Sequence, residues 1–288
     1  MEIQARIEAG LTTALDRATG SDCPPLLAAA LRHAVTPGGA RVRPQLCLAV
    51  AGACGDRDPA LSEATAAALE LLHCASLVHD DLPAFDDAGL RRGHPSVHAA
   101  FGEPLAILAG DALIVLAFET VARAGSGAPA RLPALMTILA GAVGAPGGIA
   151  AGQAWESEPE VQLDRYHQSK TGALFVGATM AGAVAAGADP GPWRRLGEMI
   201  GEAYQVADDL LDAVGDDQAG KPCGQDEALA RPSAVTSLGV RGAVELLERR
   251  VAEAAESVPP CRGAEALRAL VCAQAKRLVP KTLAVSAA

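Results

Sequence analysis

Apolar side chains recur at three- and four-residue spacing along almost all of this 288-residue chain, and alternating β-branched runs bounded by turns are scarce. The pattern predicts an all-α protein, with helices over about 2–18, 24–35, 41–54, 59–79, 95–122, 130–144, 148–156, 162–187, 190–214, 233–257 and 262–279. Pro and Gly punctuate these runs, at Pro24-Pro25, Pro37-Gly38-Gly39, Pro146-Gly147-Gly148 and Pro190-Gly191-Pro192. No Ser-rich or charged linker divides the chain and no fixed-period repeat is present, so residues 1–288 read as one helical domain.

Half of the residues are hydrophobic, which excludes disorder, yet only 3% are aromatic. Helix faces made of Ala and Gly approach closely but fill little volume, which suits a bundle around a long apolar cavity. Lys and Arg number 24 against 34 Asp and Glu; the net charge of −10 argues against general nucleic-acid binding and leaves cation-bridged ligands open. The seven cysteines form no CxxC pair and sit mostly in apolar runs such as Leu46-Cys47-Leu48, as reduced thiols of a cytoplasmic protein do. The opening Met1-Glu2-Ile3-Gln4-Ala5-Arg6 has no basic flank before an apolar stretch, so no secretory signal is expected. Two uncharged stretches, 132–155 and 172–188, read as interior helices rather than membrane spans. Pro133, Pro146 and Gly147-Gly148 break the first, and the second is short and dominated by Ala and Gly.

Two acidic clusters carry the candidate chemistry. The first, His79-Asp80-Asp81-Leu82-Pro83-Ala84-Phe85-Asp86-Asp87, lies at the C-terminal end of an apolar helix and is followed by Arg91-Arg92-Gly93. Carboxylates there oppose the helix macrodipole and call for a compensating cation. The second, Tyr204-Gln205-Val206-Ala207-Asp208-Asp209-Leu210-Leu211-Asp212, lies within an otherwise apolar helix, with Asp208 and Asp212 on one face. Either cluster alone reads as a solvated helix end. Together, as carboxylates without a Cys or His set, they suit a hard cation such as Mg²⁺, which takes one or two carboxylates with water and phosphate oxygens. Arg91, Arg92, Lys170 and Lys221 would hold the same phosphates. The expected arrangement is a diphosphate bound through Mg²⁺ between two facing aspartate patches. Glu70-Leu71-Leu72-His73 has the spacing of a helical di-iron site, but such a site needs a second copy and two more Glu, and Asp164-Arg165-Tyr166-His167 is the only near relative.

These motifs resemble the trans-isoprenyl diphosphate synthases. Asp80-Asp81-Leu82-Pro83-Ala84-Phe85-Asp86 with Arg91-Arg92-Gly93 is similar to the family's DDxxxxD motif, and Gln205 to Asp212 to its QxxDDxxD. Between them Ala109-Gly110-Asp111-Ala112-Leu113, Gly152-Gln153 and Lys170-Thr171-Gly172 stand in the family's order, so the resemblance runs from about residue 37 to 240. The stretches His73 to Phe85 and Gly152 to Glu158 are most similar to geranylgeranyl diphosphate synthases of the carotenoid and bacteriochlorophyll pathways of phototrophic bacteria. The resemblance implies an all-α isoprenoid-synthase bundle around a central apolar cavity, a homodimer, and three Mg²⁺ ions gripping an allylic diphosphate. It implies Asp80, Asp86 and Asp208 as metal ligands, with Asp81, Asp209 and Asp212 in support, and Arg91, Lys170 and Lys221 on the allylic diphosphate. Arg43, His73 and Arg92 match the site for isopentenyl diphosphate. Lys170, Thr171 and Gln205 would stabilise an allylic carbocation through carbonyl and amide dipoles. Tyr204 is read as core filling, and Asp111 as an internal hydrogen-bond acceptor.

Two positions depart from the family. Gly38-Gly39-Ala40-Arg41-Val42-Arg43-Pro44 has Ala40 where Lys is usual, and Leu229-Ala230-Arg231-Pro232-Ser233 stands where Gly-Lys-Ser/Thr is usual, with Arg231 as the candidate substitute. Losing one charge-assisted contact of about 1.5–3 kcal/mol raises the substrate requirement by roughly 10- to 100-fold unless Arg41 or another group compensates. One turn before Asp80, Ala75 and Ser76 are small where farnesyl-forming relatives often carry an aromatic residue, which favours a C20 over a C15 product. The rival readings are a C15 farnesyl diphosphate synthase, a non-catalytic subunit of another synthase, and a cyclase on the same fold. A non-catalytic subunit would more often have lost an aspartate motif. A cyclase would carry an Asn/Asp, Ser/Thr, Glu triad, which is not found.

Overall fold

The computed structural model describes residues 3–36, 38–214 and 233–276. Four helices open the chain: α1 (Ile3–Ala18), α2 (Pro25–Val35), α3 (Val42–Ala53) and α4 (Pro59–Asp80). α1 is a one-faced helix, burying Ile7, Leu11, Ala14 and Leu15 at the expected spacing. α4 is apolar over most of its surface because most of it is buried. Its Leu61, Leu69 and Leu71 have no exposure, each worth about 1.5–3 kcal/mol of burial. Pro59 opens α4 and the Asp58 side chain caps it by accepting from the Leu61 N–H.

α5 (Val97–Phe101) and α6 (Glu103–Ala124) take the place of the single helix expected over 95–122, and the break is Gly102, at φ 84°. α6 packs along α4. Gly110 of α6 leaves room there for the His79 ring, which a Cβ at that position would meet. α7 (Leu132–Val143), α8 (Ile149–Trp155) and α9 (Leu163–His167) follow. The helix expected over 162–187 is interrupted by a π-helical turn, Gln168–Gly172, before α10 (Ala173–Ala185). α11 (Arg194–Val214), α12 (Ala234–Glu256) and α13 (Ala264–Lys276) complete the described chain, α12 being broken at Gly239 with φ 69°.

The described residues form two compact units, Met1–Ala140 with Gly177–Pro190, and Gly141–Val176 with Gly191–Ala288. The first is centred on α4. The core of the second includes Ala203, Val206, Ala207 and Leu210 of α11 against Ala243 and Leu247 of α12. A two-stranded ribbon, Leu90–Arg91 paired with His94–Pro95, is the only sheet among the described residues. Arg92 and Gly93 close it with φ 53° and 76°, the pair of positive values that a tight hairpin turn requires.

Among the described residues two helical runs, Pro59–Asp80 and Glu103–Gly127, are long and apolar enough to cross a membrane, and neither coincides with 132–155 or 172–188. The apolar window of α4 is 72% buried and is core, whereas that of α6 is only 44% buried. Ile107, Leu108 and Val115 of α6 are exposed. The described cysteines are all free thiols, with Cys47 and Cys74 buried.

Candidate active site

The first aspartate motif sits where α4 stops. The Asp81 N–H still donates to Leu77 O at 3.0 Å, and the chain then folds back so that the Asp86 N–H reaches Asp80 O (3.0 Å) and the Ala88 N–H reaches Asp81 O (3.1 Å). Asp80 and Asp81 are thereby buried and Asp86 is left exposed. The ribbon delivers the compensating cation. Arg91 Nε lies 2.9 and 3.2 Å from the two Asp81 oxygens, its Nη2 also bonds Asp81, and the same nitrogen is 3.7 Å from Asp80 Oδ2. Burial alone would lower the Arg91 pKa, but the hydrogen bonds to Asp81 and the charges of Asp81, Asp80 and Asp86 reverse that and raise it.

Arg43 lies against His73, and the charges of Arg91 and Arg92 also bear on that ring. Arg43 Nη1 is 3.5 Å from His73 Nε2, and a guanidinium can only donate, which favours a neutral ring with Nε2 unprotonated. Burial, then the charges of Arg43, Arg92, Arg91 and Arg41, holds His73 well below the usual histidine range. Arg92 donates to Gly38 O, and a Cβ on Gly39, whose φ is 155°, would stand 2.6 Å from the Arg92 guanidinium carbon. The two glycines thus form a bare ledge for that side chain.

Arg41 is not a stand-in for the lysine missing at position 40. Held at φ 47°, it turns inward, with Nε 2.9 Å from Glu8 Oε1, Nη1 2.8 Å from Glu70 Oε1 and Nη2 2.8 Å from Val35 O. Its side chain has no exposure, so no donor is left for a substrate. The same pair disposes of the di-iron spacing, because the Glu70 carboxylate is committed to Arg41. Beside it, burial pushes the Cys74 thiol up to about 12, which leaves it inert at neutral pH.

In the second unit the π turn carries Lys170 and Thr171. Two helices press on it at glycines: a Cβ on Gly152 of α8 would lie 2.5 Å from Lys170 N, and one on Gly201 of α11 would lie 2.7 Å from Gly172 Cα. An extra residue in a helical turn is frequent at functional sites because it re-aims side chains. Lys170 Nζ is 2.6 Å from Glu156 Oε1, which also accepts from the Tyr166 hydroxyl at 2.6 Å, and Nζ lies 5.7 Å from the Tyr166 ring centre. Nothing in the sequence pattern marks Glu156 and Tyr166 as partners of Lys170, although Glu156 stands three residues after Gln153. On α11 Asp208 is exposed, Asp212 partly exposed and Asp209 buried. Thr171, Gln205 and Asp209 are joined by hydrogen bonds. Lys221 and Arg231 lie outside the described residues.

Ala75 of α4 is buried with 1% exposure, and the Ser76 hydroxyl turns back to donate to His73 O at 2.8 Å. Among the described residues no three His, Cys, Asp or Glu side chains cluster closely enough to cage an ion. The carboxylate donors present fit a cation that needs only one or two protein ligands and completes its shell with water and phosphate, which is the habit of Mg²⁺.

Comparison with known proteins follows the same lines. The Polyprenyl synthetase family model matches residues 24–261. Over 285 residues the chain is 55% identical to a geranylgeranyl diphosphate synthase of Cereibacter sphaeroides, covering 99% of both chains. It is 52% identical over 280 residues to the geranylgeranyl diphosphate synthase of Rhodobacter capsulatus, covering 97% of both. Among solved structures, a geranyltransferase of Helicobacter pylori complexed with magnesium and isoprenyl diphosphate superposes with a TM-score of 0.82 at 27% identity, covering 96% of each chain. A guanidinium cluster about a neutral histidine, an arginine-gripped aspartate motif and the extent of this identity agree on one conclusion: the chain belongs to the polyprenyl synthetase family.

Proposed function

We propose that this chain is a Mg²⁺-dependent prenyltransferase that joins isopentenyl diphosphate to an allylic diphosphate and carries the product to C20, geranylgeranyl diphosphate. The observation that carries the reading is the gathering of Arg43, Arg91 and Arg92 charge around His73 beside the first aspartate motif, in a chain 55% identical to a geranylgeranyl diphosphate synthase over 99% of its length.

Asp80, Asp86 and Asp208 would hold three Mg²⁺ ions with the substrate, Asp81 and Asp212 in support. Bound Mg²⁺ spreads the charge of the allylic diphosphate and so makes it a leaving group. Arg91, Lys170 and Lys221 bind that diphosphate, and Arg43, His73 and Arg92 bind isopentenyl diphosphate. His73, being neutral, orients this second anion by hydrogen bonding while the arginines supply the charge. The allylic C1–O bond breaks with its electron pair leaving on diphosphate. The alkene π pair of isopentenyl diphosphate then forms the new bond to C1, and a proton lost to the departing diphosphate restores the double bond. The dipoles of Lys170, Thr171 and Gln205 stabilise the intervening cation without supplying a strong nucleophile.

Purified protein incubated with Mg²⁺, isopentenyl diphosphate and farnesyl diphosphate is expected to give geranylgeranyl diphosphate by chromatography. A stop at C15 from shorter primers would favour a farnesyl synthase, no elongation a non-catalytic subunit, and a cyclic hydrocarbon a cyclase. The small Ala75 and Ser76 favour a C20 over a C15 product, because neither carries an aromatic ring that would block the tail one turn before Asp80. Ala75→Tyr is therefore expected to shorten the principal product by at least one five-carbon unit, and an unchanged product length would remove this assignment.

The chain is further proposed to act as a homodimer through α6, whose exposed Ile107, Leu108 and Val115 surround the exposed Asp111 on the face beside the one that packs on α4. Sedimentation equilibrium is expected to give twice the 29.1 kDa chain mass, and Val115→Asp to give the single-chain mass. A monomeric wild type would exclude the assignment.

A further inference from the structure

Of the three carboxylates in the second motif, Asp209 differs from its neighbours: it is 5% exposed, while Asp208 is exposed. Both of its oxygens are engaged. Oδ1 accepts from Gln205 Nε2 at 2.9 Å, and Oδ2 accepts from the N–H of Ala234, the first residue of α12, at 2.7 Å. On its far side Gln205 Oε1 accepts from the Thr171 hydroxyl at 2.9 Å. Ala234, Asp209, Gln205 and Thr171 thus form one hydrogen-bonded chain that ends in the π turn.

An amide has a donor end and an acceptor end of nearly the same shape, and a carboxylate, which can only accept, selects between them. Asp209 draws Nε2 toward itself, so Oε1 must face Thr171. The Thr171 hydroxyl, whose O–H donates to Oε1, keeps its lone pairs for whatever lies beyond. The electron-rich ends of Gln205 and Thr171 are therefore gathered at the turn, where an allylic cation would be stabilised.

We propose that Asp209 is a positioning residue rather than a metal ligand: it fixes the rotational state of the Gln205 amide and, through it, the direction of the Thr171 hydroxyl. This rests on the chain-elongation reading. It departs from the family resemblance, which groups Asp209 with the metal-binding carboxylates.

Asp209→Asn tests it, because the substituted side chain keeps the shape but has one acceptor where two are needed. If that acceptor stays with the Ala234 N–H, the Gln205 amide must flip and turn Nε2 toward Thr171. The expected result is a fall in kcat of about 10- to 100-fold, with the allylic KM and the Mg²⁺ concentration for half-maximal rate each within about threefold of wild type. Calorimetric binding of an unreactive allylic thiolodiphosphate in Mg²⁺ is expected to be unchanged. Because Asp209 acts through the Gln205 amide, Asp209→Asn added to Gln205→Met, which has no amide to orient, should leave kcat within about threefold of Gln205→Met alone. Weakened thiolodiphosphate binding and a raised Mg²⁺ requirement in Asp209→Asn, with a further loss of about tenfold or more when it is added to Gln205→Met, would overturn the proposal in favour of a metal ligand. A wild type that fails to elongate would overturn the elongation reading itself and this inference with it.

Discussion

Asp80→Ala is expected to lower kcat for elongation by about 1,000-fold, and Asp208→Ala by a similar factor. At about 1.4 kcal/mol per tenfold this is roughly 4 kcal/mol of transition-state stabilisation, the scale of losing one anchor of developing negative charge in an ionising step. The fold should not suffer in parallel. Asp80 lies at the C-terminus of α4, where a carboxylate opposes the helix dipole, and removing it there relieves about 0.3–1 kcal/mol of unfavourable interaction. Arg91 keeps its two-pronged grip on Asp81 when Asp80 is gone, since Asp80 Oδ2 is only its distant contact at 3.7 Å. Loss of activity with an unchanged or raised melting temperature is thus the signature of a carboxylate kept for chemistry. Asp81→Asn should behave differently, because it frees Arg91 from a bidentate partner and changes diphosphate affinity along with rate. Steady-state incorporation of labelled isopentenyl diphosphate, measured across Mg²⁺ concentrations beside thermal melts, separates these cases. An Asp80→Ala enzyme within tenfold of wild type would remove Asp80 from the site.

Helical periodicity was enough to locate most of the helices because each buries a continuous stripe, and the stripe is what the sequence displays. Where the chain departs from the 3.6-residue repeat for a residue or two, the stripe survives and the departure is invisible. Gly102 and the π turn at Gln168–Gly172 both fall inside apolar runs that read as single helices, although the turn is the feature that aims Lys170 and Thr171. The ribbon that delivers Arg91 is too short to alternate detectably, and its turn is signalled only by Arg92-Gly93. Within the second motif the helical phase was legible: Asp208 and Asp212 share a face, while Asp209, about 100° away on the helix, turns inward. The partners that Asp209 finds there come from a separate helix start, at Ala234, and no spacing along α11 announces them. Arg41 shows the same limit from another side. Its place next to Ala40 suggested a substrate contact, but a left-handed backbone at a non-glycine residue sends the side chain into the core, and the stabilising contacts that hold it there come from residues 8, 35 and 70.

Glu70→Ala is expected to cost about 3–5 kcal/mol of stability, because it leaves the Arg41 guanidinium buried without its innermost partner. The Arg41 side chain has no exposure and that of Glu70 only 2%, so water cannot take the place of the lost carboxylate. Glu8, whose side chain is 45% exposed, remains on the outer side of Arg41 but is screened by solvent and contributes correspondingly less. Arg41 cannot relieve the strain by losing its proton. A guanidinium is not deprotonated in a folded protein at neutral pH, and the Glu8 hydrogen bond, which favours the charged form against burial, remains when the Glu70 contribution is gone. With about 2–4 °C of melting temperature per kcal/mol for a chain of this size, the expected drop is about 6–20 °C by calorimetry. The double variant Arg41→Met with Glu70→Leu removes both charges and should recover most of the loss, since the cost lies in the uncompensated charge rather than in the missing pair. The reach of the effect extends to the candidate site. Arg41 is the first residue before α3, and Arg43, two residues on, lies against His73. Loosening Arg41 should therefore raise the KM for isopentenyl diphosphate more than that for the allylic substrate. If Glu70→Ala melts within 2 °C of wild type, the buried pair is not what fixes the start of α3, and the placement of Arg43 must come from Pro44 and the apolar side chains that follow it.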